Sequence, residues 1–126
     1  MSYQNVAATY RQNAILTASP EKIVKLLYDG AIRHLERSRI ALSDPATRNV
    51  ALAGESLSKA MGILGELRSC LDHEIGGEVT ANLDRLYEFG IDQISQANMK
   101  REPQPVENTL KVMRTLKEAW DAVIPG

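Results

Sequence analysis

The sequence predicts an all-α protein: an antiparallel up-down-up-down four-helix bundle preceded by a short, loosely attached N-terminal arm. Three observations predict it. Apolar residues recur at three-four spacing over four separate stretches. Each stretch is bounded by proline, glycine or a residue able to cap a helix. No stretch shows the strict alternation of a half-buried strand. A chain of 126 residues fits one domain, here an arm over residues 1–18 and a bundle over residues 19–126.

The arm is polar with isolated apolar anchors, among them Val6 and Tyr10, four apart and able to share one face of a short turn of helix. The first helix is expected from Pro20 to Leu42. Ser19 suits the N-cap and Pro20 the first helical position, where its missing N–H costs nothing. Glu21 complements the positive end of the helix dipole. The core stripe is Val24, Leu27, Tyr28, Ala31, Leu35, Ser38 and Leu42. At about 100° per residue, Leu26 and Ile40 fall away from that stripe, near Arg33, while Ile23 and Ile32 flank it. Ile23, Leu26 and Ile40 are either scattered surface side chains or a second contact surface.

Ser43-Asp44-Pro45 ends the first helix, because a residue before proline is pushed out of the helical region. The second helix starts between Pro45 and Asn49 and ends near Asp72, with a stripe of Val50, Ala53, Leu57, Ala60, Met61, Leu64, Leu67 and Leu71. Gly54, Ser58, Gly62, Gly65 and Ser69 cluster on one flank of it. Each interior glycine costs roughly 0.5–1 kcal/mol relative to alanine. The flank is either packed tightly by another helix of this chain, tolerated as weak propensity, or open to the backbone of a partner. Arg68 falls within the core stripe, so its stem is expected to be buried with the guanidinium reaching a carboxylate or a helix end.

Ile75-Gly76-Gly77-Glu78 is the strongest break in the chain. The third helix runs from Glu78 to Asn98 on a stripe of Val79, Leu83, Leu86, Tyr87, Gly90, Ile94 and Ala97, with Phe89 off it. After Arg101-Glu102-Pro103-Gln104, Pro105 opens a fourth helix carrying Val106, Leu110, Met113, Leu116, Trp120 and Val123-Ile124. Short connections make sequential helices antiparallel neighbours.

Fifteen Lys and Arg against sixteen Asp and Glu give a net charge of −1. Such a balance provides no field to draw nucleic acid or an anionic membrane. No apolar run is long enough to insert in a membrane, and the first residues do not read as a secretory signal. Cys70 is the single cysteine, which fits a reducing, cytoplasmic setting. No motif for phosphate, metal or dinucleotide binding occurs, and neither histidine is spaced as a ligand pair. Very little here could therefore be catalytic, and no cofactor or metal site is expected. Asp84 and Glu88 read as a solvated charged face before they read as an acid/base pair. A four-helix bundle with a helical histidine, His34, also admits a histidine phosphotransfer reading. Glu36 beside it is a poor neighbour for phosphate. A helical adaptor or dimerisation module is a further alternative.

Several stretches carry a resemblance to a family. Leu16-Thr17-Ala18-Ser19-Pro20-Glu21-Lys22 followed by Leu27-Tyr28-Asp29-Gly30-Ala31-Ile32-Arg33 resembles the first-helix signature of the bacterial flagellin export chaperones, the FliS family. The Leu67 to Asp72 segment, the Gly-Gly-Glu turn, Leu83-Asp84-Arg85-Leu86-Tyr87-Glu88-Phe89 and the closing Leu116-Lys117-Glu118-Ala119-Trp120 are similar to it as well. Two positions depart: Arg68 stands where the family usually has Asn, and Phe89 where it has Tyr. The resemblance implies a non-enzymatic chaperone that binds the disordered C-terminal segment of flagellin, prevents its premature polymerisation and presents it to a flagellar export gate protein of the secretion apparatus. An anti-sigma factor is a further candidate partner. Flagellin contacts are then expected at Ile23, Leu26, Ile40, Gly54, Ser58, Gly62 and Gly65. The resemblance also implies that the arm, through Val6 and Tyr10, folds back over the client groove.

Overall fold

A computed structural model describes residues 20–46, 48–74 and 77–123. Among these residues it contains four helices and no strand: α1 (Pro20–Ser43), α2 (Val50–Ser69), α3 (Gly77–Lys100) and α4 (Gln104–Val123). Each packs against its neighbours in sequence, and α1 and α4 close the ring. Ion pairs from Lys25 near the start of α1 to Asp121 near the end of α4, and from Glu36 to Arg114 one side of it, fix those two helices antiparallel. Val6, Tyr10 and the expected cap Ser19 lie outside the described residues.

The local chemistry sets the boundaries. Asn49 caps α2, its Oδ1 accepting the Leu52 N–H at 3.0 Å. Asp44 instead folds onto its own loop, accepting the Ala46 N–H at 2.9 Å. α2 stops at Ser69, three residues short of the expectation. The Asp72 carboxylate takes the Glu74 N–H at 3.0 Å, and such a local bond competes with continuing the helix. Gly77 opens α3 at a φ of +55°, a left-handed conformation that glycine adopts without steric penalty. α3 ends at Lys100, and the residue after it, Arg101, is also left-handed and returns its N–H to the Ala97 carbonyl at 2.8 Å.

The core is aliphatic and continuous through the four helices, from Leu35 and Leu42 of α1 through Leu57 and Leu64 of α2 to Ile94 of α3 and Leu110 and Met113 of α4. Its polar groups are satisfied: Ser38 Oγ donates to the Leu35 carbonyl at 2.8 Å and Thr109 Oγ1 to that of Pro105 at 2.9 Å. Tyr28 and Tyr87 share a hydrogen bond between their hydroxyls, joining α1 to α3 across the bundle, and Trp120 stacks tilted against Tyr28.

Three apolar positions differ from the expectation. Val50 and Val79, placed on core stripes, are exposed. Both lie in the first turn of their helices, where no neighbouring helix covers them. Ile23, expected on a contact surface away from the core, is only 6% exposed and packs among the core residues. The reason is the width of the buried face. α1 is gripped by both α2 and α4, and at about 100° per residue its buried positions from Gly30 through Ile23 to Tyr28 sweep roughly 160°, wider than a single stripe.

Candidate functional site

Two lanes run along α2, one on either side. Gly30 marks the α1 side, since a Cβ built there would lie 3.3 Å from Ile63 Cδ1 of α2. Leu26 and Ile40 project on this side of α1, each 65% exposed, about 20 Å apart along the helix at 1.5 Å per residue. Leu52 of α2 is also exposed. It lies at the same end as Ile40, because Asn49 N–H bonds the Ala41 carbonyl at 3.0 Å where the two helices meet. The sequence stripe offered Val50 and passed over Leu52; its signal was an apolar side chain about 100° beyond Ala53.

The lane on the α3 side is lined by the small residues. A Cβ added at Gly62 or Gly65 meets nothing within 4 Å, and one at Gly54 meets only Asn98 Oδ1, at 3.7 Å. Ser58 is exposed. No described helix packs tightly at Gly62 or Gly65: along those positions α2 presents backbone with nothing over it among the described residues. Arg68 crosses this lane, with Nε donating to Asp84 at 2.6 Å and one terminal nitrogen 3.5 Å from Glu88. The expected carboxylate partner exists. The hydrogen bond to Arg68 holds the Asp84 carboxyl below its ordinary range.

The structure thus brings Leu26 and Ile40 together with Leu52 along one lane, and Gly54, Ser58, Gly62 and Gly65 along the other. It withdraws Ile23 into the core. Elsewhere, α1 and α4 are latched by Lys25–Asp121 at 3.3 Å, Lys117–Asp29 at 3.6 Å and Arg114–Glu36.

Groups suited to covalent chemistry are poorly placed. Burial, reinforced by Glu66, pushes the Cys70 thiol up to about 11, so the nucleophilic thiolate is scarce at neutral pH. His34 is half-buried, with Nδ1 enclosed and unbonded among the described residues. Desolvation first, then Arg33, Lys59 and Arg37, lower its pKa, and the ring is neutral at pH 7. Among the described residues no cluster of His, Cys, Asp or Glu is arranged to hold a metal, and no helix is long and apolar enough to cross a membrane.

Residues 2–126 match the model of a family described as flagellar protein FliS. The chain is similar to the flagellar secretion chaperone FliS of Vibrio cholerae, 40% identical over 124 residues that span 98% of this chain and 87% of that protein. It is similar to the protein of the same name from Salmonella typhimurium, 36% identical over 115 residues, 90% of this chain and 83% of that one. The Bacillus subtilis protein of that name is 27% identical over 124 residues, 98% and 90% of the two chains.

Proposed function

The chain belongs to the FliS family, whose named relatives are flagellar secretion chaperones, and on that premise we propose that it binds the disordered C-terminal segment of newly made flagellin in the cytoplasm. Binding without catalysis keeps that segment from polymerising and delivers it to an export gate protein of the flagellar secretion apparatus. The observation that carries this reading is the pair of lanes flanking α2: Leu26 and Ile40, both 65% exposed, on one side and the uncovered backbone at Gly62 and Gly65 on the other. A client helix lays apolar side chains on the first lane, and an extended client backbone approaches closely along the second.

The physical logic suits a hand-over. A disordered client gains apolar burial and loses chain entropy in the same step, so a large contact area yields moderate affinity. Exposed apolar residues on the free chaperone are then the half-site that the client completes. The test is calorimetry with purified full-length chain and the C-terminal segment of flagellin from the same organism, beside flagellin lacking that segment. Saturable binding of the segment alone, with a negative heat-capacity change, is the expected result. Equal binding of the truncated flagellin, or none of the segment, overturns the reading.

A further inference from the structure

The middle of the lane between α1 and α2 differs from its two ends. Leu26, Arg33 and Ile40 follow one another at seven-residue spacing, so at about 100° per residue they stay on one side of α1. Leu26 and Ile40 are the exposed apolar ends. Arg33 stands midway with Arg37 one turn beyond it, and both are exposed. The Gly30–Ile63 and Ala41–Asn49 contacts set the antiparallel register of the two helices, which puts Lys59 and Glu55 of α2 opposite the arginines.

The other arginines of the described helices each have a partner: Arg39 and Arg114 bond Glu36, Arg68 bonds Asp84 and Arg85 bonds Asn82. Arg33 and Arg37 have no hydrogen bond or ion pair among the described residues. The carboxylates around them are taken: Asp29 pairs with Lys117, Glu36 with Arg39 and Arg114, and Glu55 with Lys59. Glu66 belongs to the Leu26 end, a turn past Ile63. Three cations, Arg33, Arg37 and Lys59, thus face the middle of the lane against the one carboxylate of Glu55, and all three oppose protonation of His34 beside them. Like charges one turn apart on a helix repel, so Arg33 and Arg37 gain nothing from each other in the bare bundle.

That charge pattern selects among occupants. A second copy of this chain meeting on a two-fold axis would set these arginines against their own counterparts. A wholly apolar helix would bury two guanidinium groups with no acceptor. A helix with acidic residues between two apolar anchors satisfies both kinds of group, because each guanidinium offers a carboxylate two parallel N–H donors. The apolar contacts at the ends exclude water from the middle and strengthen the pairs there.

Resting on the client reading above, we propose that the part of the flagellin segment lying in the α1–α2 lane is a helix with apolar residues about fourteen positions apart, matching Leu26 and Ile40, and Asp or Glu midway between them, held by Arg33 and Arg37 as specificity-determining residues. The lane then reads the order of apolar and acidic residues as well as their presence.

The experiment uses the full-length chain and the flagellin C-terminal segment from the same organism. Each Asp and Glu of the segment is neutralised singly to Asn or Gln, and each peptide is titrated by calorimetry against wild type, Arg33→Gln and Arg37→Gln. The expected result is one or two acids, with apolar residues on either side, whose neutralisation weakens binding to wild type roughly tenfold, on the scale of a hydrogen bond between charged groups. The same neutralisation changes little in the arginine variant that has already lost the partner. Charge reversal on both sides, Arg33→Glu with Lys in the client at the position so identified, restores binding, which a merely structural role for Arg33 would not produce. Melting temperatures of the Gln variants match or exceed that of wild type, since a repulsive pair is gone. Arginine variants that bind every peptide as wild type does overturn the proposal and leave the client reading standing. So does binding of heparin by wild type that the variants lose while their affinity for the segment is unchanged, which assigns the arginines to a different polyanion. Failure of the wild type to bind the parent segment at all removes both readings.

Discussion

His34 sits where α1 approaches α2, with Arg33 and Arg37 on its own helix and Lys59 and Glu55 facing it from α2. Burial and three cations oppose its protonation, and Glu55 opposes them only in part. The folded pKa therefore lies below the unfolded value of about 6.5. Proton uptake then favours the unfolded chain. The stability associated with neutral His34 is whole above the ordinary histidine range, falls as pH drops through it, and stops falling below the folded pKa. His34→Gln, which cannot titrate, should show a smaller loss of melting temperature than wild type between pH 7.5 and 5.5. Equal losses in the two proteins would mean that His34 does not titrate differently on folding. A partly enclosed ring also counts against the phosphotransfer reading of the sequence, which needs an exposed histidine and which Glu36 already disfavoured. The hydroxyl pair of Tyr28 and Tyr87 was not legible in the same way. Both positions fall on core stripes, but 59 residues separate them, and periodicity specifies a face without naming the partner across it.

At the scale of the element, two interior helical glycines, one on a core stripe of α3 and one on a flank of α2, meet opposite surroundings in the fold. Gly90 of α3 faces inward: an added methyl would lie 3.3 Å from Thr109 Cγ2 and 3.5 Å from Leu64 Cδ1. Thr109 cannot swing aside without losing its bond to the Pro105 carbonyl. Gly62 of α2 has open space. Gly90→Ala should lower stability by about 1 kcal/mol, overpacking outweighing the gain in helix propensity. Gly62→Ala should raise it by about 0.5–1 kcal/mol. Chemical denaturation of both variants checks the pair. Gly62→Leu should keep that stability and weaken binding of the flagellin segment; unchanged affinity would take Gly62 out of the client lane. The sequence could place the glycines on one flank of α2, but packing by another helix and exposure produce the same residue pattern. Only the positions of the neighbours separate them. The same limit explains Ile23 and the first-turn valines. Three-four spacing gives the centre of a buried face, whereas its width and its ends depend on how many helices grip it and where they stop.

For the whole molecule, the seams divide the labour. α1 and α4 are held by a row of ion pairs, Lys25–Asp121, Lys117–Asp29 and Glu36–Arg114, over a packed aliphatic core. The faces flanking α2 carry exposed Leu26, Ile40 and Leu52 and the uncovered backbone at Gly62 and Gly65. A chaperone built this way keeps its fold independent of its cargo, so the two properties should separate by mutation. Leu26 and Ile23 are three residues apart and are both branched aliphatics, yet one is 65% exposed and the other 6%. Ile23→Ala removes buried methylenes and should cost about 2–4 kcal/mol of stability, the usual range for such a truncation. Leu26→Asp places a charge where water already reaches and should change stability by less than about 1 kcal/mol. Against flagellin the order should reverse. Burying a leucine side chain is worth about 2 kcal/mol, so losing it and stranding a carboxylate in the interface weakens binding at least thirtyfold. Ile40→Asp should behave likewise at the other end of the lane, and since the two sites lie about 20 Å apart their effects should add. Melting curves and calorimetry on the same preparations decide the matter: if Leu26→Asp unfolds the bundle, or folds and binds the segment as well as wild type, the α1–α2 lane is not where the client lies.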